Sequence, residues 1–243
     1  MRVPKIFSIT YKKVQNTSTK IIRWMLVINE KLNHDQHNKN HQHYLMKVVN
    51  RLKNNSMAIS LDAINDLEHL AEVNPQYHWI IMDMLTNFVR NKAASLSPEE
   101  VTNNSAENTK QVIQAAITVI GRRDTKYDPE DEQIDLSYTD LRGVNLQGAN
   151  LEQTNLYQAN LSEANLAGAN LEGAILSAAN LSGANLNFAN LSQAILSAAN
   201  LRGANLSGAN LHRANLYLAS LQDAILNDVI MDEANLREAQ FKF

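Results

Sequence analysis

The chain of 243 residues contains no cysteine, only four prolines and two tryptophans, and no long apolar run. Without cysteine, disulfide bonds and thiolate metal sites are excluded, and a reducing compartment is a natural location. The most apolar early stretch, residues 21–28, contains Arg23 and is too short to cross a bilayer. No small-residue cleavage site follows it. The sequence therefore predicts neither a signal peptide nor a transmembrane segment, and we expect a cytoplasmic protein.

Charge is distributed unevenly along the chain, although the formal net charge is only −3. Residues 1–60 carry 11 basic and 2 acidic side chains, a net of +9. Residues 61–133 carry 6 basic and 13 acidic side chains, a net of −7, and residues 134–243 carry 5 and 10, a net of −5. The N-terminal part is therefore strongly basic, whereas the rest of the chain is mildly acidic.

Glycine is scarce, and seven of the eight glycines share one register with a period of five residues. This register runs through residues 134–243 as 22 consecutive pentads, whose central residues are 20 Leu, Met231 and Phe241. The residue two before the centre is Ala in 17 pentads, and the residue just before it is Asn or Asp in 16. A period of five suits neither an α-helix nor a straight strand. A chain that bends by about a quarter turn in every pentad would instead point each central residue toward one axis.

These pentads resemble the A(D/N)LXX motif of the pentapeptide-repeat family, and ANLSG at 179–183 and ANLEG at 169–173 are close to its ideal form. The resemblance implies a right-handed quadrilateral parallel β-helix with four pentads per coil and about five and a half coils. AILSAANL at 174–181 recurs unchanged at 194–201, which independently supports a coil of 20 residues. The expected structural core includes Leu146, Leu166, Leu186, Leu206, Leu226 and Phe241, the last of which would plug the C-terminal end.

Residues 1–133 predict an α-helical domain that ends in an acidic linker at 127–133. Asn74 and Pro75 indicate a helix start, and Gly121 indicates a helix end through a left-handed cap. The segment is similar to a helical module often found ahead of pentapeptide repeats in bacterial proteins. The expected fold class is therefore α+β by domain, with an N-terminal helical domain followed by the β-helix at 134–243. One apolar stripe of the helical domain is formed by Ile59, Ala63, Leu67 and Leu70.

One face of the predicted solenoid carries an unusual number of apolar side chains at outward positions. We call this set the apolar strip; it consists of Tyr138, Tyr157, Ile175, Ile195, Tyr217 and Leu218. Exposed strips of this kind usually contact something. Either the protein's own helices cover it, or it binds a partner or a second copy. A homo-oligomer joined through the C-terminal end is a further alternative.

Three other sets of residues suggest chemistry. Ser192, His212 and Asp232 lie 20 residues apart and have the residue types of a hydrolase triad, but a flat solenoid face supplies no pocket or oxyanion hole. We therefore expect no enzyme, and we expect no cofactor because no phosphate-binding loop or zinc-protease motif occurs. A polar tract contains metal-ligand candidates and otherwise predicts a flexible connection. Its histidines are His34, His37, His41 and His43.

A basic amphipathic segment at 19–33 could lie on an anionic membrane or contact nucleic acid, or simply face the core. The leading hypothesis for the whole chain is a non-enzymatic interaction or scaffold protein with an unidentified protein partner. One alternative is a regulator at the membrane surface that uses the basic helix. Another is a DNA mimic, as in the gyrase-protecting pentapeptide proteins. Those proteins favour Phe centres and stronger acidity, whereas this repeat has Leu centres and a net charge of −5.

Overall fold

A computed structural model describes residues 36–52, 54, 56–95 and 104–241 of the chain. The chain divides into two compact units, Met1–Arg51 and Leu52–Phe243. The described part of the first unit belongs to helix α1 (Gln36–Leu52), whose last residue is counted in the second unit. The basic segment at 19–33 lies outside the described residues, so its proposed contacts remain predictions. Within the described ranges, no helix combines the length and the apolar character that crossing a bilayer requires.

The second unit begins with three mutually packed helices, α2 (Met57–Val73), α3 (His78–Ala94) and α4 (Asn104–Gly121). The apolar stripe predicted on α2 is buried from Ala63 onward, whereas Ile59 in the first turn is exposed. Pro75 opens a short 3₁₀ turn (Pro75–Tyr77), so α3 starts three residues later than Asn74 and Pro75 predict. A second 3₁₀ turn (Thr125–Tyr127) follows α4 and leads into the repeat.

Beyond residue 133 the chain forms a stack of coils whose equivalent residues are 20 apart. Parallel bridges link such residues, beginning with Asp135 to Asn155 and ending with Ser220 to Gln240. Each corner is tied to both neighbouring coils. The amide of Asn155 donates to the Ile134 carbonyl of the preceding coil, and the amide of Leu156 donates to the Ile175 carbonyl of the following coil, each at 2.8 Å. The predicted 20-residue coil is confirmed, and the region is a right-handed quadrilateral β-helix.

A tight turn in every pentad produces the square cross-section. The amide of the residue three after the centre donates to the central carbonyl, as Ala159 does to Leu156 at 3.0 Å. The residue two after the centre has a positive φ at 21 positions, 14 of them non-glycine and 7 glycine. A type II turn requires a positive φ at this place, where a side chain adds steric strain. The clustering of glycine in the sequence therefore reflects the turn.

The interior of the solenoid is filled by the central leucines and by the small residues two positions before them. Leu146, Leu166, Leu186 and Leu206 are buried, as predicted for the core. Leu226 is only half-buried, and Phe241 is 38% exposed, because no described coil follows the one they belong to. The expectation that Phe241 plugs the core therefore has to be corrected, since Phe241 is not buried.

The helices complete the first coil by replacing the hydrogen bonds that a preceding coil would supply. The side-chain amide of Gln114 both donates to the Asn145 carbonyl and accepts from the Asn145 amide, each at 2.8 Å. The Gly121 carbonyl accepts from the Asn150 amide at 2.7 Å. These contacts satisfy backbone groups of the first coil that would otherwise lack partners at this edge.

Arg123 makes the most extensive contact at this edge. Its guanidinium group donates to the carbonyls of Asn150 and Glu152 and, at 2.9 Å, to the carboxylate of Asp128. Gly121 is required nearby for a different reason from the one predicted. It has no left-handed φ, and a Cβ added there would lie 2.8 Å from the Cβ of Ala149. The predicted helix end at Gly121 is thus confirmed, but the glycine permits a close approach and is not a left-handed cap.

The boundary proposed at 133/134 lies within the second compact unit, where the helices and the first coil are joined by the contacts above. The division into domains at 1–133 and 134–243 is therefore a description of two kinds of sequence and remains a prediction as a division of folding units.

Candidate interaction surface

The outward face of each coil is organised by the residue just before the centre, which is usually asparagine. Its side-chain oxygen accepts a hydrogen bond from the amide two residues later, as Asn160 does from Ser162 at 3.2 Å. Its side-chain NH₂ group donates to the equivalent residue of the preceding coil, as Asn180 does to Asn160 at 3.1 Å. Stacked asparagines therefore cap the turns and also link neighbouring coils along a corner.

Four corner columns of this kind run along the solenoid, and one of them is interrupted in its middle. Ile175 and Ile195 occupy successive positions between Asn155 and Asn215. Two more isoleucines, at 225 and 230, belong to the last described coil and to two other columns. In the interior of the stack the paired replacement thus falls on a single corner, the one that borders the apolar strip.

The two isoleucines leave polar groups without the usual asparagine. Ser162 and Ser192 each bond through their hydroxyl to the preceding asparagine, Ser162 at 2.9 Å and Ser192 at 2.8 Å. Ser177 and Ser197 have isoleucine at that position. Among the described residues, neither their amide N–H groups nor their hydroxyls have a hydrogen-bond partner. Both serines are half-buried. The amide is the group that distinguishes them, because the Ser182 hydroxyl also has no partner among the described residues although Asn180 precedes it.

Bulkier side chains flank this central part of the strip on both sides along the solenoid axis. The rings of Tyr138 and Tyr157 form an edge-to-face pair with centroids 5.4 Å apart, so Tyr157 packs toward the first coil. At the other end, the Tyr217 hydroxyl donates to Glu238 in the following coil at 3.4 Å. The small residues Ser177, Ala178, Ser197 and Ala198 therefore lie between two aromatic ends that contact the outer coils.

The apolar strip is neutral along its centre and acidic along one side. The outward positions of the coil segments 155–158, 175–178, 195–198 and 215–218 contain no charged residue. On the adjoining face the Glu172 carboxylate accepts from Asn190 at 3.2 Å and from Gln193 at 3.3 Å, and the Glu152 carboxylate accepts from Asn170 at 3.4 Å. These glutamates give that edge of the strip a negative potential.

The structure brings together the residues of the apolar strip that sequence reasoning selected. Tyr138, Ile195 and Leu218 are exposed, and Tyr157, Ile175 and Tyr217 are half-buried. Sequence reasoning did not identify Ser177 and Ser197. Their signal was the exchange of Asn for Ile two residues earlier, which removes the Asn or Asp turn cap that 16 of the 22 pentads possess. Their role in recognition remains a proposal.

Ser192, His212 and Asp232 occupy one column, but their hydrogen bonds do not form a triad. The Ser192 hydroxyl bonds to Asn190 at 2.8 Å and is largely buried. Within residues 104–241, no hydrogen bond joins Ser192 to His212 or His212 to Asp232. Arg213 bonds instead to Glu233 at 2.6 Å. The column is therefore built like its neighbours, around its asparagines.

The metal-ligand candidates fall in and before helix α1. His34 lies outside the described residues. His37 and His41 are in helix α1, and His43, in the same helix, is exposed. The connection predicted to be flexible is helical from Gln36 onward. In the part of the chain that the structure describes, no group of three metal-ligating side chains occurs. Metal binding by this tract remains a prediction.

Comparison with known proteins assigns the repeats to a family. The family model for pentapeptide repeats matches residues 139–177, 174–213 and 214–243, with eight copies. Rfr23, a pentapeptide repeat protein from the cyanobacterium Cyanothece 51142, is 36% identical over 42% of this chain and 87% of its own, with a TM-score of 0.37. The chain belongs to the pentapeptide-repeat family.

Two other solved structures share less of their length with this chain. HetL, involved in heterocyst differentiation regulation in Nostoc sp. strain PCC 7120, is 32% identical over 43% of this chain and 65% of its own, with a TM-score of 0.19. QnrB1, a plasmid-mediated fluoroquinolone resistance protein, is 20% identical over 44% and 60%, with a TM-score of 0.33. The chain thus covers less than two thirds of either protein, and no curated protein matches it.

Proposed function

We propose that this protein is a non-enzymatic interaction module that binds a protein partner through the apolar strip. The observation that carries the proposal is the paired replacement of corner asparagines by Ile175 and Ile195. Each replacement removes a turn cap and links between coils, which contribute roughly 1 kcal/mol per hydrogen bond. Each also places an apolar side chain at an outward position, where Ile195 is exposed and Ile175 is half-buried. A local departure that weakens the fold and adds apolar surface is typical of a binding site.

Catalysis has little support in comparison. The one column with suitable residue types is hydrogen-bonded as a structural corner, with Ser192 tied to Asn190. A nucleophile needs a base within hydrogen-bond distance and a concave site for the reacting atom. A rigid rod that displays side chains at a fixed pitch suits recognition better than turnover.

The DNA-mimic alternative is not favoured by the charge layout. Asp140 pairs with Arg142 at 2.8 Å, and Glu233 pairs with Arg213 at 2.6 Å. Along the described coils the remaining carboxylates are divided among several faces, so they do not form the continuous acidic face that imitation of a phosphate backbone requires. The membrane-surface alternative depends on residues 19–33, outside the described ranges, and a cytoplasmic location likewise stays a prediction.

Site-specific cross-linking in the native cell tests the proposal. A photo-reactive phenylalanine replaces Ser177 in the full chain, and a matched variant carries it at Ser182, the equivalent position of the next face. We expect a discrete adduct with another protein from position 177 that is absent from position 182. The adduct should also disappear when Ile175→Asn and Ile195→Asn are added. Equal adducts at both positions, or none at 177, would overturn the proposal.

A further inference from the structure

We infer that the partner presents an amphipathic α-helix with basic residues near one end, which lies across the middle of the apolar strip between its two tyrosine ends. This inference rests on the proposed function and specifies the chemistry of the partner. It follows from the shape of the strip, its size, its charge and the unpaired polar groups at its centre.

The shape of the strip selects a convex ligand. Tyr157 and Tyr217 lie three coils apart, which is about 14 Å at roughly 4.8 Å per coil. Tyr157 contacts Tyr138, and Tyr217 bonds to Glu238, so both rings are held by the outer coils and leave the middle open. An α-helix with side chains is about 10–12 Å across, so one helix fits between the tyrosines with its axis along the coils.

The size and shape of the strip argue against a second copy of this chain as its main occupant. It extends over four coil steps, about 19 Å, and one face is about 10 Å wide, so its area is on the order of 200 Å². A stable dimer buries about 800 Å² on each partner. Two copies paired through this face would also bring together the small residues at the middle of each strip. The tyrosines at the ends would hold the two surfaces apart and leave a void, which a packed interface avoids.

The charge around the strip selects a helix with a basic end. Glu152 and Glu172 lie on the face that precedes the strip along each coil, whereas the face that follows it carries Glu163 together with Arg142 and Arg202. Two arginines near the acidic face are already paired, Arg123 with Asp128 at 2.9 Å and Arg213 with Glu233 at 2.6 Å. A helix whose axis follows the coils would bring Lys or Arg near one of its ends opposite the two glutamates, and an acidic end would be repelled.

The centre of the strip also constrains the apolar stripe of the helix. The amide and hydroxyl groups of Ser177 and Ser197 have no protein partner among the described residues. An entirely apolar helix would bury these donors without an acceptor, which is costly. The stripe should therefore contain one small acceptor side chain, Ser, Thr, Asn or Gln, at the point of contact.

A display selection on the full chain tests the inference. The probe is a mixed library of equal numbers of helix-favouring 18-residue peptides and proline-containing extended peptides of the same length. Peptides are selected on the wild-type chain after depletion on the Ile175→Asn/Ile195→Asn variant. That variant restores the asparagine pattern, so it should fold at least as well as the wild type. A second control, Asn185→Ile/Asn205→Ile, places an isoleucine pair on a corner column that does not border the strip.

We expect the enriched peptides to be helical, with Lys or Arg near one end and one acceptor side chain within the apolar stripe. Fluorescence anisotropy should show affinity at least tenfold lower for the Ile175→Asn/Ile195→Asn variant. The Glu152→Gln/Glu172→Gln variant should bind several-fold more weakly and with less salt dependence. The Asn185→Ile/Asn205→Ile variant should keep wild-type affinity.

Enrichment of extended or acidic peptides, or the absence of any peptide that depends on Ile175 and Ile195, would overturn the inference. Concentration-dependent dimerisation in sedimentation experiments that the two Asn substitutions abolish would also overturn it, in favour of a second copy. These outcomes differ from a failure of the proposed function. If the adduct at position 177 maps to a non-helical segment of the partner, the inference of a helix is wrong, whereas the proposal that the strip binds a protein partner is still supported.

Discussion

The helical part and the solenoid of the second unit achieve their order in different ways. In the solenoid the same position recurs in every pentad, so Leu146, Leu166 and Leu186 make equivalent contacts. In the helical part each contact with the first coil occurs once, as for Gln114 with Asn145. Because the same residue types recur in most pentads, a pentad that departs from them is informative. The helices have no repeated pattern against which a departure could be recognised.

The largest expected effect tests the repeated part. Leu186 is fully buried in the middle of the stack, so Leu186→Asp would place a carboxylate among apolar side chains. Burying an unpaired charge costs several kcal/mol, comparable with the stability of a whole domain. We expect the β-structure to be lost in circular dichroism. Melting identical to that of the wild-type chain would show that the assigned register is wrong.

A somewhat smaller effect is expected from the unrepeated contacts. The Arg123 side chain is 1% exposed, pairs with Asp128 and donates to two carbonyls of the first coil. Arg123→Ala would leave that carboxylate and those carbonyls without their partner, at a cost of about 3–5 kcal/mol in the free energy of unfolding. Urea denaturation measures it.

The neighbouring arginine is the matched control for this prediction. Arg122 pairs with Glu68 at 3.1 Å, but its side chain is 67% exposed. Exposed pairs contribute about 0–1 kcal/mol, so Arg122→Ala should change stability little. Equal losses in the two variants would mean that the helices do not complete the first coil through Arg123.

This contrast also explains what could be predicted from the sequence. A period of five and a coil of 20 residues predict the register of the coils, the buried leucines and the strip. In such a coil, residues 20 apart must stack on one another. The roles of Gln114 and Arg123 could not be predicted in this way. They depend on where α4 ends above the first coil, and no local pattern encodes that placement.

Phe241 and Gly121 show the same limit. Sequence position marked Phe241 as a central residue, but burial also requires a coil on each side, and the last described coil has a neighbour on only one side. Gly121 correctly predicted the helix end, but the reason given for the glycine was wrong. The glycine is needed for a close approach to Ala149, which is 28 residues away in the chain. Within the strip, the sequence pattern placed the apolar side chains, whereas the tyrosine contacts and the unpaired serine groups depend on the three-dimensional packing of neighbouring coils.

A moderate effect in the opposite direction is expected at the interrupted corner. Ile175→Asn with Ile195→Asn would restore two turn caps and the links to Asn155 and Asn215, and it would lose partly buried apolar area. We expect a net gain of about 1 kcal/mol in the free energy of unfolding. Asn180→Ile with Asn200→Ile should lose a similar amount. If the Asn variant is instead less stable, the isoleucines serve the fold and the argument for a binding site fails.

The smallest expected effect concerns the pH dependence of the helical part. His78 is buried at the start of α3 with its ring centroid 5.3 Å from that of Tyr127, and burial lowers the pKa of His78 below its usual 6.5. The nearby carboxylates Asp128 and Asp124 oppose this shift without cancelling it. Below pH 6.5 the unfolded chain therefore binds a proton more readily than the folded chain, and stability should fall as the pH decreases through that range.

Urea midpoints at pH 7.5 and 5.5 measure this dependence of the wild-type chain and of a His78→Phe variant. The wild type should lose stability between these values, and the variant should lose less. Two carboxyl groups with a lowered pKa, those of Asp124 and Glu233, titrate below their ordinary 3.8 and 4.5, so their protonation does not interfere at pH 5.5. An equal loss in both proteins would show that His78 does not carry the pH dependence, because removing the imidazole would then have left the proton uptake on unfolding unchanged.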